Sequence, residues 1–216
     1  MKRSELIQML ASEVAGIRRA HPVRVAIDGV DASGKTTLAD ELGDAIEKLG
    51  RPVIRSSVDG FHNPQSVRYS LGRHSPEGYF LHSFNYSAFI ELLLTPLGPD
   101  GSRQFRRSAF DYRTDRHTQA ELENAPADAI LVCDGIFLLR HELREHWDLS
   151  IFLDVSFEGA CSRMAQRNGS SPDINDPSNR RYIEGQKLYL QTCSPRANAT
   201  IVINNENLYA PELLLP

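Results

Sequence analysis

The stretch Gly29-Val30-Asp31-Ala32-Ser33-Gly34-Lys35-Thr36 fits the pattern G-x-x-x-x-G-K-[ST] at each fixed position. A polyphosphate must be wrapped by backbone N–H groups, and only a loop with glycines at its ends brings them close enough. Gly29 and Gly34 supply that freedom, with Asp31, Ala32 and Ser33 forming the cradle between them. Lys35 extends an ammonium toward the outer phosphates, and Thr36, with Thr37 beside it, opens a helix and turns its hydroxyl toward a divalent cation. The helix N-terminus adds partial positive charge.

The flanks agree with this reading. Val23-Arg24-Val25-Ala26-Ile27 is a short β-branched run of the kind that forms a buried strand. Beyond the loop, Leu38, Leu42, Ala45, Ile46 and Leu49 recur at helical spacing, and Gly50 stands where a helix end favours positive φ. Upstream, Leu6, Ile7, Leu10, Val14 and Ile17 predict an amphipathic helix over residues 4–20 with no catalytic residue.

Downstream, residues 51–58 read as a second strand ending in Asp59-Gly60-Phe61-His62. Ligands of open α/β sheets bind at the carboxyl ends of strands, so Asp59 falls beside the loop. There it either accepts a proton from a substrate hydroxyl or simply caps a turn. Residues 60–85 make a long polar segment in which Phe61, Tyr69, Tyr79, Phe80 and Phe84 either line a pocket for a flat ring or anchor the segment itself. His62, His74 and His82 show no metal-ligand spacing. A helix over 86–94 stops at Pro96 and Gly98. Between 103 and 116, arginines interleave with Phe105, Phe110 and Tyr112 in a predicted hairpin, either a solvated face or contacts to a small phosphorylated ligand.

The run Ile130-Leu131-Val132-Cys133-Asp134 is an apolar strand ending in an acid that could hold Mg²⁺ opposite Thr36, or merely turn the chain into Gly135. A further strand at 149–155 precedes a helix carrying Arg163 and Arg167, four apart and on one face. The polar segment 168–179 after it suits a lid that brings those arginines onto a transferring phosphate; the alternative is a solvated pair before a surface loop. A helix over 180–192 and a strand over 199–203 complete a pattern of five strands near 23, 53, 130, 150 and 200. Helices alternate with them, which implies a parallel sheet covered on both faces.

The chain has 216 residues, with 24 basic against 28 acidic, and reads as a single domain spanning 1–216 with no broad nucleic-acid or membrane surface. Glu5, Gln8 and Glu13 interrupt any signal-peptide apolar region, and no run approaches a membrane span of ~20 residues. Cys133, Cys161 and Cys193 follow no disulfide or metal spacing, so a reducing, cytoplasmic location is expected.

Taken together, the residues resemble the uridine kinase-like branch of P-loop kinases, which also includes phosphoribulokinase and bacterial pantothenate kinase. The resemblance runs from about Val23 to Pro211. Beside the loop, Asp59-Gly60-Phe61-His62 is similar to the family's D-x-F-[YH], Asp134-Gly135-Ile136 to its E-G-I with Asp for Glu, and Arg163 and Arg167 fall on its lid arginines. Tyr182, Gln186, Tyr189, Pro195 and Ala199 resemble its closing signature. The resemblance implies an α/β fold of P-loop NTPase type: a five-stranded parallel sheet with helices on both faces, a lid at about 167–179 and a small substrate-side hairpin. Phe84-Asn85-Tyr86 lies where uridine kinases carry F-D-H-P, so Asn85 replaces the acid that grips the ribose diol. Phe110-Asp111-Tyr112 resembles the base-binding Y-D-F strand, while the pyrimidine-reading histidine corresponds to Asp115 or a neighbour.

The expectation is therefore an ATP- and Mg²⁺-dependent kinase of a primary hydroxyl, foremost the 5′-hydroxyl of a nucleoside. Asp59, Lys35 and Arg163 are the catalytic candidates. Gly29, Asp31, Ala32, Ser33, Gly34, Lys35, Thr36, Thr37 and Arg167 would hold the nucleotide, and Thr36 and Asp134 the metal. Asp59, Phe61, His62, Asn85, Tyr112 and Asp115 would hold the acceptor. The rivals are a kinase of pantothenate, a sugar or a sugar phosphate, and a P-loop ATPase that transfers nothing; no N-K-x-D motif favours a guanine-reading switch. A homo-oligomer is an expectation of the resemblance alone.

Overall fold

The computed structural model describes residues 1–214. Helix α1 (Arg3–Gly16) leads into β1 (Val23–Gly29), the glycine loop, α2 (Lys35–Lys48) and β2 (Val53–Ser57). A 3₁₀ turn over Val58–Phe61 opens the long polar segment, which folds into short helices α3 (Gln65–Arg68), α4 (Pro76–His82) and α5 (Tyr86–Phe89); a π-helical turn, Ile90–Leu94, continues the last. Four two-residue strands follow: β3 (Gln104–Phe105), β4 (Phe110–Asp111), β5 (Arg116–His117) and β6 (Glu123–Asn124). The chain closes with β7 (Ile130–Asp134), β8 (Leu149–Asp154), α6 (Phe157–Asn168), α7 (Pro177–Cys193), α8 (Pro195–Asn198), β9 (Ile201–Asn204) and β10 (Glu212–Leu214).

The central sheet has the order β10-β9-β8-β1-β7-β2. Its parallel part holds the five expected strands, and β10 adds a sixth, antiparallel to β9. Because side chains alternate along a strand, neighbouring residues serve opposite faces. Ile130, Val132, Val25 and Ile27 pack with Leu38, Leu42 and Ile46 of α2 and with Leu6, Leu10 and Val14 of α1. Leu131, Cys133, Ala26 and Phe152 pack on the other side with Phe61, Phe80, Phe89 and Tyr189. Each fully buried Val, Leu, Ile or Phe among them contributes roughly 1.5–3 kcal/mol. The near-continuous apolar strands thus follow from burial on both faces.

Three expectations are corrected. The hairpin over 103–116 is instead two separate antiparallel pairs, β3 with β6 and β4 with β5, because Arg113 to Asp115 turn the chain early, with Asp115 at φ 53°. The segment 167–179, expected as a lid, is helical at both ends. Helix α6 runs to Asn168 before Gly169 at φ 76°, and α7 starts at Pro177, where Asp176 accepts the Ser178 N–H as a cap. Only 169–176 is loop. Finally, the first helix ends at Gly16 rather than 20.

Candidate active site

Strands β1 and β7 end side by side, so the glycine loop and Asp134 share one rim of the sheet. Gly34, at φ 97°, caps α2, a conformation an L side chain resists. A Cβ on Gly29 would lie 2.7 Å from the Ser33 hydroxyl and 2.8 Å from the Leu153 carbonyl oxygen, so the loop's entry has room only for glycine. Lys35 is almost fully buried and its Nζ donates to the Val30 carbonyl at 2.7 Å. Burial pushes its pKa down, opposed by the carboxylates of Asp31, Asp28, Asp134 and Asp59. Ser33 is likewise buried, and its hydroxyl is the one buried side-chain polar atom without a hydrogen bond among the described residues. A polar atom so placed in a phosphate cradle fits an anion.

Thr36 Oγ1 donates to Asp134 Oδ2 at 2.7 Å. The other carboxylate oxygen accepts from Arg55 Nη2 at 3.0 Å, and the same nitrogen donates to Asp40 at 2.9 Å. A hydroxyl and a single carboxylate are hard oxygen donors that suit Mg²⁺, which keeps most of its waters and takes phosphate oxygens rather than an all-protein cage. No cluster of three or more potential metal-ligating His, Cys, Asp or Glu side chains exists among the described residues, as such a site requires none.

Asp59 stands on the 3₁₀ turn after β2, its N–H donating to Ser57 Oγ at 3.3 Å. Its carboxylate opens onto the cleft yet is crowded by protein on the remaining sides, and that desolvation raises its pKa, opposed by His62 and Lys35. His62 Nδ1 bonds the Asp59 carbonyl at 2.9 Å, and its ring lies between Phe84 at 4.5 Å and Tyr112 at 4.7 Å. Burial lowers the His62 pKa, so the ring is held toward its neutral, stacking form. Lys35, Thr36, Asp134, Asp59, His62 and Tyr112 border one cavity of about 1560 Å³, which also reaches Asp31, Arg163, Arg167, Arg113 and Asp115.

Comparison with known proteins adds relatives to this geometry. No protein-family profile matches the chain. It is 28% identical to the uridine kinase of Leuconostoc citreum over 208 residues, covering 89% of this chain and 93% of that one. Among solved structures, a possible uridine kinase from Bacillus stearothermophilus superposes with a TM-score of 0.73 at 24% identity, over 92% of this chain and 97% of that one. D-glycerate 3-kinase from Cryptococcus neoformans does so with a TM-score of 0.59 at 14% identity, over 98% and 97%. The chain is similar to uridine kinase-like P-loop kinases over most of its length. It is thus a small-molecule phosphotransferase with an alcohol group as acceptor, drawing on a nucleotide.

Within the kinase, several residues named from sequence stand elsewhere than expected. Phe61 is fully buried in the core and does not border the cavity, because the 3₁₀ turn sends it inward while Asp59 and His62 face out. Asn85 is also off the cavity wall: its side chain accepts the Ala88 N–H and caps α5. Asp115 borders the cavity but is clasped by the Gln65 N–H at 2.8 Å and Arg68 at 3.2 Å. Arg163 and Arg167 share a helix face but not a state. The Arg163 guanidinium donates to the carbonyls of Asn205 at 2.7 Å and Glu206 at 2.9 Å, bracing the back of the loop, while Arg167 is exposed with only Met164 Sδ at 3.0 Å.

Other residues of the kinase site escaped the sequence reading. Arg55 was signalled by a charge in the middle of a β-branched strand, and Asp28 by an acid at the end of a fully buried one. Asp28 is wholly buried and accepts from the N–H groups of Gly29 at 2.6 Å and Leu139 at 3.0 Å and from the Tyr189 hydroxyl. Burial pushes its pKa up to about 6. Asp31, by contrast, was named from sequence among the nucleotide-holding residues; it accepts from Tyr79 of α4 at 2.8 Å and from Gln186 of α7 at 3.2 Å, tying both helices to the loop. Asn205, which donates to the Ser33 carbonyl at 2.7 Å, carried no local signal at all.

Proposed function

We propose that this kinase transfers the γ-phosphate of ATP, with Mg²⁺, to a primary hydroxyl, foremost the 5′-hydroxyl of a nucleoside. The observation that carries the reading is the run of the cleft from Lys35 and the Thr36–Asp134 pair, past the Asp59 carboxylate, to the aromatic wall of His62 and Tyr112. A flat base stacks on such a wall and leaves the sugar hydroxyl near Asp59. In this reading Asp59 takes the hydroxyl proton, and its raised pKa brings it nearer the task. Lys35 swings from the Val30 carbonyl to the transferring phosphoryl group and neutralises its charge. Thr36 and Asp134 hold the metal, which supplies charge neutralisation across the outer phosphates. Arg163 serves as charge neutraliser on leaving its carbonyls, and the more freely placed Arg167 contacts the nucleotide. The chain works as one domain with a lid at 169–176, and its three buried, unpaired cysteines fit a reducing, cytoplasmic setting.

One observation favours a second reading, an anionic acceptor such as a sugar phosphate. Arg113 borders the cavity beyond Tyr112, its guanidinium 5.8 Å over that ring, while its backbone N–H donates to Asp111 Oδ1 at 2.9 Å. Arg107, by contrast, is locked to Glu123 by two bonds of 2.7 Å and lies off the cavity.

A coupled ADP-release assay with ATP and Mg²⁺ tests both readings against nucleosides, pantothenate and ribulose 5-phosphate, with Lys35→Ala as blank. Release confined to nucleosides supports the first. Release only with an anionic acceptor, accompanied by a KM raised about tenfold in Arg113→Ala, the order expected of a lost charged hydrogen bond, supports the second. ADP release indifferent to every acceptor would overturn both.

A further inference from the structure

Arg55 stands in the middle of β2, two residues after Val53, and so projects to the same sheet face, the one that α2 covers. Gly43 makes the room for it: a Cβ at that position in the interior of α2 would lie 3.3 Å from Arg55 Cδ. Glycine weakens a helix interior, so α2 gives up stability where it passes the arginine. The guanidinium is engaged on every nitrogen. Nε and Nη2 donate to Asp40 Oδ1 at 3.0 and 2.9 Å, and Nη1 to the carbonyls of Val132 at 2.6 Å and Ser56 at 3.2 Å. Nη2 also donates to Asp134 Oδ1 at 3.0 Å. Thr36, four residues before Asp40 on one face of α2, donates to the other oxygen of Asp134. Thr36, Asp134, Arg55 and Asp40 thus form a closed ring that begins and ends on one helix.

We infer that Arg55 is a positioning residue that sets which divalent cation the site accepts, by occupying Asp134 Oδ1 and leaving Oδ2 alone to meet a cation beside Thr36. The inference rests on the reading of Thr36 and Asp134 as the metal-holding pair. A free carboxylate turns about its last bond and offers a cation one oxygen or both. Here Oδ1 is taken by a guanidinium whose own direction Asp40 and two carbonyls fix, so turning the carboxylate would break the ring. The Asp134 side chain is only 5% exposed, which shields that contact from water. A carboxylate limited to one oxygen suits Mg²⁺, which is small, octahedral and keeps several waters. Ca²⁺ takes about six to eight oxygens in a looser geometry and readily uses both oxygens of a carboxylate. Withholding Oδ1 therefore handicaps the larger ion. Arg55 does not border the cavity, so it acts through Asp134 and touches neither nucleotide nor acceptor.

Electron paramagnetic resonance of Mn²⁺ bound to the protein with ADP, with Mg²⁺ and Ca²⁺ as competitors, tests this without turnover. The quantity read is the Ca²⁺ concentration that displaces half the Mn²⁺, divided by the Mg²⁺ concentration that does so. In Arg55→Met this ratio should fall about tenfold, the usual size of effect for a group that orients a metal ligand. Arg55→Lys keeps the charge but loses the planar fork, and should lower the ratio about threefold. Asp40→Asn changes a side chain that is 64% exposed, so the fold tolerates it, and by loosening the guanidinium it should lower the ratio as well. A thermal melt accompanies each variant. An unaltered or raised ratio in Arg55→Lys and Asp40→Asn, even with a lower Tm, would reduce Arg55 to a structural brace and overturn the inference. Mn²⁺ affinity unchanged in Asp134→Asn would overturn the metal reading beneath it, whatever the Arg55 variants do.

Discussion

Asp59 and Phe61 are two positions apart in one motif, yet one faces the cleft and the other lies in the core. The motif's residue types were legible in the sequence, but the 3₁₀ turn that separates their directions was not, since it depends on Phe61 finding Phe89 at 5.0 Å across the chain. Asn85 illustrates the same limit. A polar side chain that could bond a diol also satisfies a helix N-terminus, and the local cap takes it because its partner is three residues away. Asp59→Asn should lower kcat by about 10²–10⁴-fold while ATP affinity stays within about twofold, which steady-state kinetics beside calorimetric titration will read. Full turnover in that variant would remove Asp59 from the role of base. Because desolvation raises the Asp59 pKa, the protonated, inactive form gathers at a higher pH than for an ordinary aspartate. The acid limb of kcat/KM should accordingly fall above the usual carboxylate range near pH 4 and vanish from the profile in the asparagine variant.

At the scale of elements, the loop's flanking strand and helix were readable because burial on both faces imposes apolar runs and 3.6-residue spacing. Helix α7 was readable as a helix but not as what it does. Its Gln186 and Tyr189 reach Asp31 and Asp28 on either side of Gly29, so the helix grips the glycine loop through two carboxylates. Such pairings join residues over 150 positions apart and leave no periodic trace. The grip requires close packing of α7 on α4 at Gly185, where a Cβ would lie 2.8 Å from both the Pro76 carbonyl oxygen and Tyr79 Cδ1. Gly185→Ala should destabilise the protein by about 1–3 kcal/mol through this overpacking, lowering Tm by several degrees in a thermal melt. It should also weaken nucleotide binding, because the displaced ring belongs to the Tyr79 that bonds Asp31. Loss of stability with unaltered nucleotide affinity would show the grip to be structural only.

Across the whole molecule, stability carries a signature of Asp28, whose carboxyl is buried at the sheet's centre. Its pKa of about 6 lies above that of the unfolded chain, so between about pH 6 and pH 4 the native state binds a proton that the unfolded state does not. Stability from this group is therefore lost as pH rises through 6. In urea titrations, the unmodified protein should gain on Asp28→Asn by on the order of 2–3 kcal/mol between pH 7 and pH 4. A difference between the two that is flat with pH would place the carboxyl in its ordinary range. The sequence indicated this acid only as an oddity in a buried strand, since its raised pKa comes from burial in the folded sheet, opposed by the three donors that converge on it. The three thiols lie at graded depths in the same architecture: Cys133 inside the sheet, Cys193 under α7, and Cys161 at the margin of the cleft. Alkylation followed by mass spectrometry therefore becomes a built-in clock for three kinds of opening. Cys161 should react first and be shielded by nucleotide, whereas Cys133 should be modified only at the pace of global unfolding.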